Sequence, residues 1–215
     1  MRITPRRPLG AAMLAAGLLV ALTAAATAHP HVWITVETTA LYDKGTFTGL
    51  RHKWTFDEFY TSMAIEGLDK NNDGIYDREE LAELAKVNID GLKEFAYFTY
   101  PVLGGQDVKL AEVKDYWAEH KDGALSLHLT VPFSQPIPEK SKGFAWVVQD
   151  PAFYIAFLPA KTDPVKLGEG TPKSCKVHIG NPKTGGDDAE RLAKAFAQLA
   201  TPVSATKAVS VDCAN

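Results

Sequence analysis

Twelve residues, Asp69 to Glu80, carry oxygen donors at a spacing that suits a hard cation. The stretch reads D-K-N-N-D-G-I-Y-D-R-E-E. Asp69, Asn71 and Asp73 fill positions one, three and five of the calcium-loop pattern, and Gly74 fills the sixth, where the chain must turn sharply. Ile75 offers a backbone carbonyl at the seventh position, Asp77 stands at the ninth, and Glu80 supplies two oxygens at the twelfth. Calcium takes six to eight oxygens at about 2.3–2.6 Å, and the four carboxylates at these positions repel one another unless a cation sits among them. The alternative is a solvated Asn/Asp/Gly turn in which Asp77 caps the next helix and Glu80 occupies that helix's third position. The sequence has one such loop, and its eighth residue is Tyr76 instead of the β-branched residue through which loops pair. A lone loop outside the cytoplasm suits a Kd of roughly 10⁻⁴ to 10⁻³ M, which makes it a structural clip more than a switch.

A second donor set lies upstream. If a leader is removed after Ala28, His29 becomes the new N-terminus, followed by Pro30 and His31. A terminal histidine can chelate through its amine and its imidazole together. Pro30 has no N–H, so copper or nickel cannot bind through deprotonated amides across it. A further ligand must come from elsewhere. If the first hairpin turns at Lys44, residues whose numbers sum to about 88 face each other, which puts His31 opposite Asp57 and Val36 opposite His52. Two histidines, an amine and a carboxylate suit Ni²⁺, Co²⁺, Zn²⁺ or Cu²⁺. The competing expectation is a frayed terminus that binds nothing. His128 and His178 read as surface residues on polar strand faces, and His52 and His120, flanked by charges, as weaker candidates still.

The elements that must position these groups follow from hydrophobic period. His31 to Tyr42 alternates as a strand, Asp43-Lys44-Gly45 is a turn, and Thr46 to Thr55 returns. The period then becomes helical, with Phe56 to Leu68 leading into the acidic loop, Leu81 to Val87 leading out, and a further helix at about Ile89 to Tyr97. Val108 to Glu119 and Ala124 to Phe133 form a second expected hairpin, with Leu125, Leu127, Leu129 and Val131 inward. Phe144–Val148 and Phe153–Leu158 read as another pair around Asp150-Pro151. Pro159–Pro172 and Asn181–Asp187 read as loops. Cys175–Ile179 and Ala208–Cys213 are short strands, and Asp188–Ala200 reads as an amphipathic helix with Leu192, Phe196 and Leu199 on one face. The expected fold is α+β: a mostly antiparallel sheet or sandwich over residues 29–215, with a helical insert at about 56–100.

Composition bounds the rest. The chain has 215 residues, 46% of them hydrophobic, enough for one core. Arg2, Arg6 and Arg7 precede an uncharged run from Leu9 to Ala28 ending in Ala26-Thr27-Ala28. That is the pattern of a secretory signal peptide, and it implies a periplasmic or secreted protein. An uncleaved anchor is the alternative, and the Arg6-Arg7 pair faintly suggests twin-arginine export, although Pro8 follows it directly. Nothing else is long and apolar enough to span a bilayer. Cleavage lowers Lys+Arg from 23 to 20 against 26 acids, a net charge of −6, which argues against nucleic acid and anionic membranes as partners. In an exported protein Cys175 and Cys213 read as one disulfide; two free thiols or a metal site are the alternatives, and the spacing fits no zinc motif.

No nucleophile elbow, zinc-protease motif, phosphate-binding loop or Cys-x-x-Cys is present, which lowers the expectation of an enzyme. His-Pro-His-Val-Trp-Ile, then Trp54-Thr55-Phe56-Asp57-Glu58-Phe59-Tyr60, the acidic loop with Glu80-Leu81, and Phe95-Ala96-Tyr97-Phe98-Thr99 together mark a resemblance. The chain resembles a bacterial family of unknown function, catalogued as the periplasmic component of an uncharacterised ABC-type transport system. The resemblance implies a role beside nickel/cobalt permeases, with an inner-membrane metal transporter as partner. Three functions are therefore expected in descending order: a periplasmic accessory protein for metal transport, a calcium-stabilised structural or interaction module, and a copper-dependent oxidative enzyme. N-terminal sequencing of the exported protein should return His-Pro-His; any later start removes the terminal amine and His29 from the proposed ligand set.

Overall fold

The computed structural model describes residues 30–180 and 207–213. The leader expected at residues 1–28, His29, the loop expected at Asn181–Asp187 and the helix expected at Asp188–Ala200 lie outside the described residues.

Two mostly antiparallel sheets enclose one main core. β1 (Val32–Asp43) and β2 (Thr46–Phe56) form the first hairpin. Its turn residues Lys44 and Gly45 both have positive φ, +45° and +85°, the backbone twist that a two-residue hairpin turn requires. Period two then sorts the side chains. Val32, Ile34, Val36, Thr38 and Ala40 are buried on β1, as are Leu50, His52, Trp54 and Phe56 on β2. The helical insert follows: α1 (Glu58–Ala64), the acidic loop, α2 (Ala82–Leu92) and a 3₁₀ stretch (Lys93–Phe98). The expected separate helix at Ile89–Tyr97 is thus the end of α2 followed by a tighter turn.

The remaining strands are β3 (Thr99–Leu103), β4 (Gln106–Asp107), β5 (Tyr116–Lys121), β6 (Ala124–Pro138), β7 (Phe144–Val148), β8 (Ile155–Pro159), β9 (Val165–Leu167), β10 (Cys175–Gly180) and β11 (Ala208–Cys213). The first sheet runs β5-β6-β2-β1-β8, with β9 also against β1; the second runs β10-β11-β7-β3-β4. The alternation on β6 is as expected, with Leu125, Leu127, Leu129 and Val131 all buried. The strand expected to begin at Val108 is confined to β5, and residues 108–115 form a strap crossing between the sheets.

Three expectations need correction. β7 and β8 do not pair. They lie in different sheets, and β8 joins β1 in parallel, as does β9, which arises within the expected Pro159–Pro172 loop. The Asp150 carboxylate accepts the N–H groups of Ala152, Tyr154 and Ile155, so the turn between the strands redirects the chain from one sheet to the other. The hairpin register is also offset. Asp43 faces Thr46 at the turn, a bulge between Leu41 and Tyr42 adds one residue on β2, and Thr38 then faces His52 and Val36 faces Trp54. Finally, His52 is completely buried, because strand period turns Arg51 and Lys53 outward and the residue between them inward.

Cys175 and Cys213 are bonded and face each other across β10 and β11. Closing a loop of 38 residues constrains the unfolded chain by about 3–4 kcal/mol.

His52 joins the sheets. Its Nδ1 lies 2.9 Å from Thr38 Oγ1 on β1, and its Nε2 lies 3.3 Å from Thr99 Oγ1 on β3. Thr99 spends its one hydroxyl hydrogen on the Tyr97 carbonyl at 2.8 Å, so it accepts from His52 Nε2–H and Nδ1 accepts from Thr38. Burial pushes the His52 pKa down to about 3. Because the unfolded imidazole takes a proton near 6.5, this group's contribution is intact above that pH and is lost as pH falls toward 3. Between pH 7 and pH 5 the loss is about 2 kcal/mol. Urea unfolding at the two pH values should show that increment in the parent protein and a flatter dependence in His52→Gln.

Candidate metal sites

Asp57 begins the insert as the N-cap of α1, its Oδ1 accepting the Tyr60 N–H at 2.9 Å. The acidic loop that follows is folded onto its own carboxylates. Asp69 accepts the N–H groups of Asp73 (3.1 Å) and Gly74 (2.9 Å), Asn71 Oδ1 also accepts from Asp73 (2.9 Å), and Asp73 accepts from Ile75 (2.7 Å). Gly74 has φ +79°, a conformation that costs glycine nothing and most residues a good deal. At the far end Asp77 Oδ1 accepts from Glu79 and Glu80, while Glu80 Oε2 accepts from Asp77 N–H at 3.2 Å. This reciprocal pair is a capping box, the local structure of the alternative reading. Glu80 does more than cap: its Oε1 accepts the Lys70 N–H at 2.8 Å, and its side chain is buried, so it ties the loop's second residue to its twelfth. All six expected donors occur in order, with Ile75 exposed and contributing only its carbonyl to the donor set. Among the described residues, no three His, Cys, Asp or Glu side chains are gathered closely enough to hold a metal ion.

The loop grips the edge of the first sheet. Tyr76 meets His120 edge-on at 4.9 Å. Arg78 lies 4.9 Å above the Trp117 ring, whose indole stacks on His128 at 4.5 Å and 7°; His128 Nε2 bonds Glu119 at 3.0 Å. Burial lowers the His128 pKa, opposed by the Glu119 hydrogen bond and charge. Trp117 and His120 point to opposite faces of β5, so residues 76–78 straddle that strand.

At the N-terminal end the structure separates what the sequence brought together. His31 is exposed; its N–H donates to the Tyr154 carbonyl at 2.8 Å and its ring packs on Tyr154 at 4.8 Å. Asp57 faces Trp33 instead of His31: Asp57 N–H donates to the Trp33 carbonyl (2.9 Å) and Trp33 N–H to Asp57 Oδ2 (2.8 Å). The offset hairpin register accounts for this displacement. His29 lies outside the described residues, so the third member of the expected set is not placed.

A family model described as "Protein of unknown function (DUF1007)" matches residues 14–211. The chain belongs to the DUF1007 family. An uncharacterized protein of Haemophilus influenzae (strain ATCC 51907 / DSM 11121 / KW20 / Rd) is 24% identical over 155 residues, covering 72% of this chain and 74% of that protein. An uncharacterized 15.5 kDa protein in the trpE 3' region of Spirochaeta aurantia is 29% identical over 99 residues, covering 46% of this chain and 70% of its own length. No solved structure matches the chain.

In this DUF1007 protein the two expected sites are therefore unequal. The loop is folded onto its own carboxylates and anchored to β5; at the other end His31 is exposed, and Asp57, opposite Trp33, is already bonded on both oxygens. His178 Nε2 lies 4.0 Å from Asp212, and His120 serves the loop contact. Sequence reasoning missed the grip of Tyr76 and Arg78 on β5. The available signal was an aromatic and a cation alternating with ligand positions, matched by Trp117 and His120 on an edge strand. Asp57 joins β1, β2 and α1 through one carboxylate. Asp57→Ala should destabilise the protein by about 1–2 kcal/mol, the cost of a lost N-cap, in urea unfolding, and Asp57→Asn by less.

Proposed function

We propose that this DUF1007 protein is an exported accessory protein for metal-ion transport. In this reading it holds calcium in the loop at Asp69, Asn71, Asp73, Ile75, Asp77 and Glu80, and a transition metal at its mature N-terminus through His29 and His31. The observation that carries the proposal is the loop itself. Every ligand position is filled, Gly74 makes the turn, and Glu80 closes the two ends. Calcium would draw onto itself carboxylates that now serve backbone N–H groups, and would relieve their mutual repulsion. The exported location rests on the leader pattern, and the transport role with an inner-membrane partner on the family resemblance.

One observation favours a second reading, a calcium-stabilised interaction module with no transition-metal role. Both oxygens of Asp57, the nearest carboxylate to His31 along the hairpin, already have partners.

Calorimetric titration of the processed protein separates the two. Calcium should bind with a Kd of roughly 10⁻⁴ to 10⁻³ M and be lost in Glu80→Gln. One or more of Ni²⁺, Co²⁺, Zn²⁺ and Cu²⁺ should bind, and a His29→Ala/His31→Ala variant should not bind it. Transition-metal binding that survives the double substitution removes the site assignment; calcium binding with none of the four metals selects the second reading.

A further inference from the structure

The stretch Phe95-Ala96-Tyr97-Phe98-Thr99 belongs to neither metal site, yet it is unusually strained. Ala96, Tyr97 and Phe98 follow one another with φ of +51°, +51° and +46°. Residues with a side chain visit this left-handed region singly as a rule. Three in succession persist only where the surroundings over-determine them. Here the Tyr97 carbonyl accepts from Thr99 Oγ1, itself held by His52, the Phe98 carbonyl accepts from Gln149 N–H at 3.0 Å, and the Tyr97 hydroxyl accepts from Val113 N–H at 3.3 Å.

The strained turn forms one wall of a cleft of about 580 Å³. The opposite wall is the strap that crosses between the sheets, bonded at both ends: Val108 N–H to the Pro101 carbonyl, and Ala111 N–H to the Pro132 carbonyl. The cleft is thus preformed, and its size is that of a small-molecule site, too small for a folded partner. Tyr97 and Tyr100 give it an aromatic lining. Four charged residues line it. Lys93 and Glu112 neutralise each other at 2.7 Å. Asp107, the last residue of β4, and Lys109, two residues on in the strap, are exposed, and neither side chain has a hydrogen bond or ion pair among the described residues.

An aromatic cleft with one free anion and one free cation complements a zwitterion that carries an apolar group. We propose that the cleft between Tyr97, Tyr100 and the Asp107–Lys109 strap binds a free amino acid or short peptide with an apolar side chain, its carboxylate toward Lys109 and its ammonium toward Asp107. This goes beyond the metal reading and does not depend on it.

Amide NMR titration of the processed protein tests it with three probes: L-phenylalanine, N-acetyl-L-phenylalanine, which lacks the ammonium, and L-phenylalanine amide, which lacks the carboxylate. L-phenylalanine should give saturable shifts at residues 97–100 and 107–112 with a Kd of about 1 mM or tighter. Lys109→Ala should weaken it about tenfold while leaving the amide unchanged, and Asp107→Asn should weaken it about tenfold while leaving the acetylated probe unchanged. Both side chains are exposed, so these variants keep the fold, which their melting temperatures check. No saturable shift with any probe, shifts outside the cleft, or equal L-phenylalanine affinity in Lys109→Ala and the parent each overturn the proposal.

Discussion

The two sheets meet through an imidazole that stays uncharged. A protonated His52 would place a cation in a fully buried position beside Trp54, whereas the neutral ring accepts from Thr38 and donates to Thr99 and leaves neither nitrogen unpaired. Several features follow from that choice. Thr38 must stand opposite His52, which requires the hairpin offset introduced by the bulge. Thr99 must direct its hydroxyl at the Tyr97 carbonyl, which helps hold the left-handed turn. A valine or leucine at position 52 would fill space but would leave the Thr38 hydroxyl without its acceptor and the Thr99 oxygen without its second donor in a dry interior. The polar link thus specifies how the sheets are stacked, where apolar packing alone would tolerate sliding.

The candidate sites lie at the margin of this core and are tied to it by single side chains. Asp57 anchors the start of the insert to Trp33, Glu80 closes the loop, Arg78 and Tyr76 fix the loop to β5, and Tyr97 is pinned by Val113. The candidate groups sit on the insert and the strap, while the sheets supply rigid walls. The family match, with relatives named only as uncharacterized, defines the lineage.

What could be read in advance divides by range. Period two was legible in β1, β2 and β6 because one face of each is buried, and the cysteine pair was legible because both residues stand on the apolar side of short strands. The loop's donor order needs only twelve consecutive residues. The pairing of β8 with β1 was not legible: Ile155–Pro159 is five residues long and nothing local distinguishes a partner just upstream from one more than a hundred residues away. His52 was hidden by its neighbours, since Arg51 and Lys53 suggest solvent while strand geometry makes them the reason that the residue between them points inward. The hairpin register failed by two residues through a turn centred after Lys44 and a bulge, and that error displaced Asp57 from His31 to Trp33.

The grip of the loop on β5 has a consequence for how safely the chain can fold. β5 ends the first sheet, so it has one strand neighbour among the described residues, and a bare edge of Tyr-Trp-Ala-Glu-His-Lys offers backbone groups to any extended chain nearby. Tyr76 and Arg78 occupy the two faces of that edge, and α2 packs along it. These guards precede β5 by some forty residues, so in a chain that emerges from its N-terminus the cover is present before the edge exists. The acidic loop is in this sense a chaperone carried within the sequence, one that shields the sheet against templated pairing through Tyr76 and Arg78 alone.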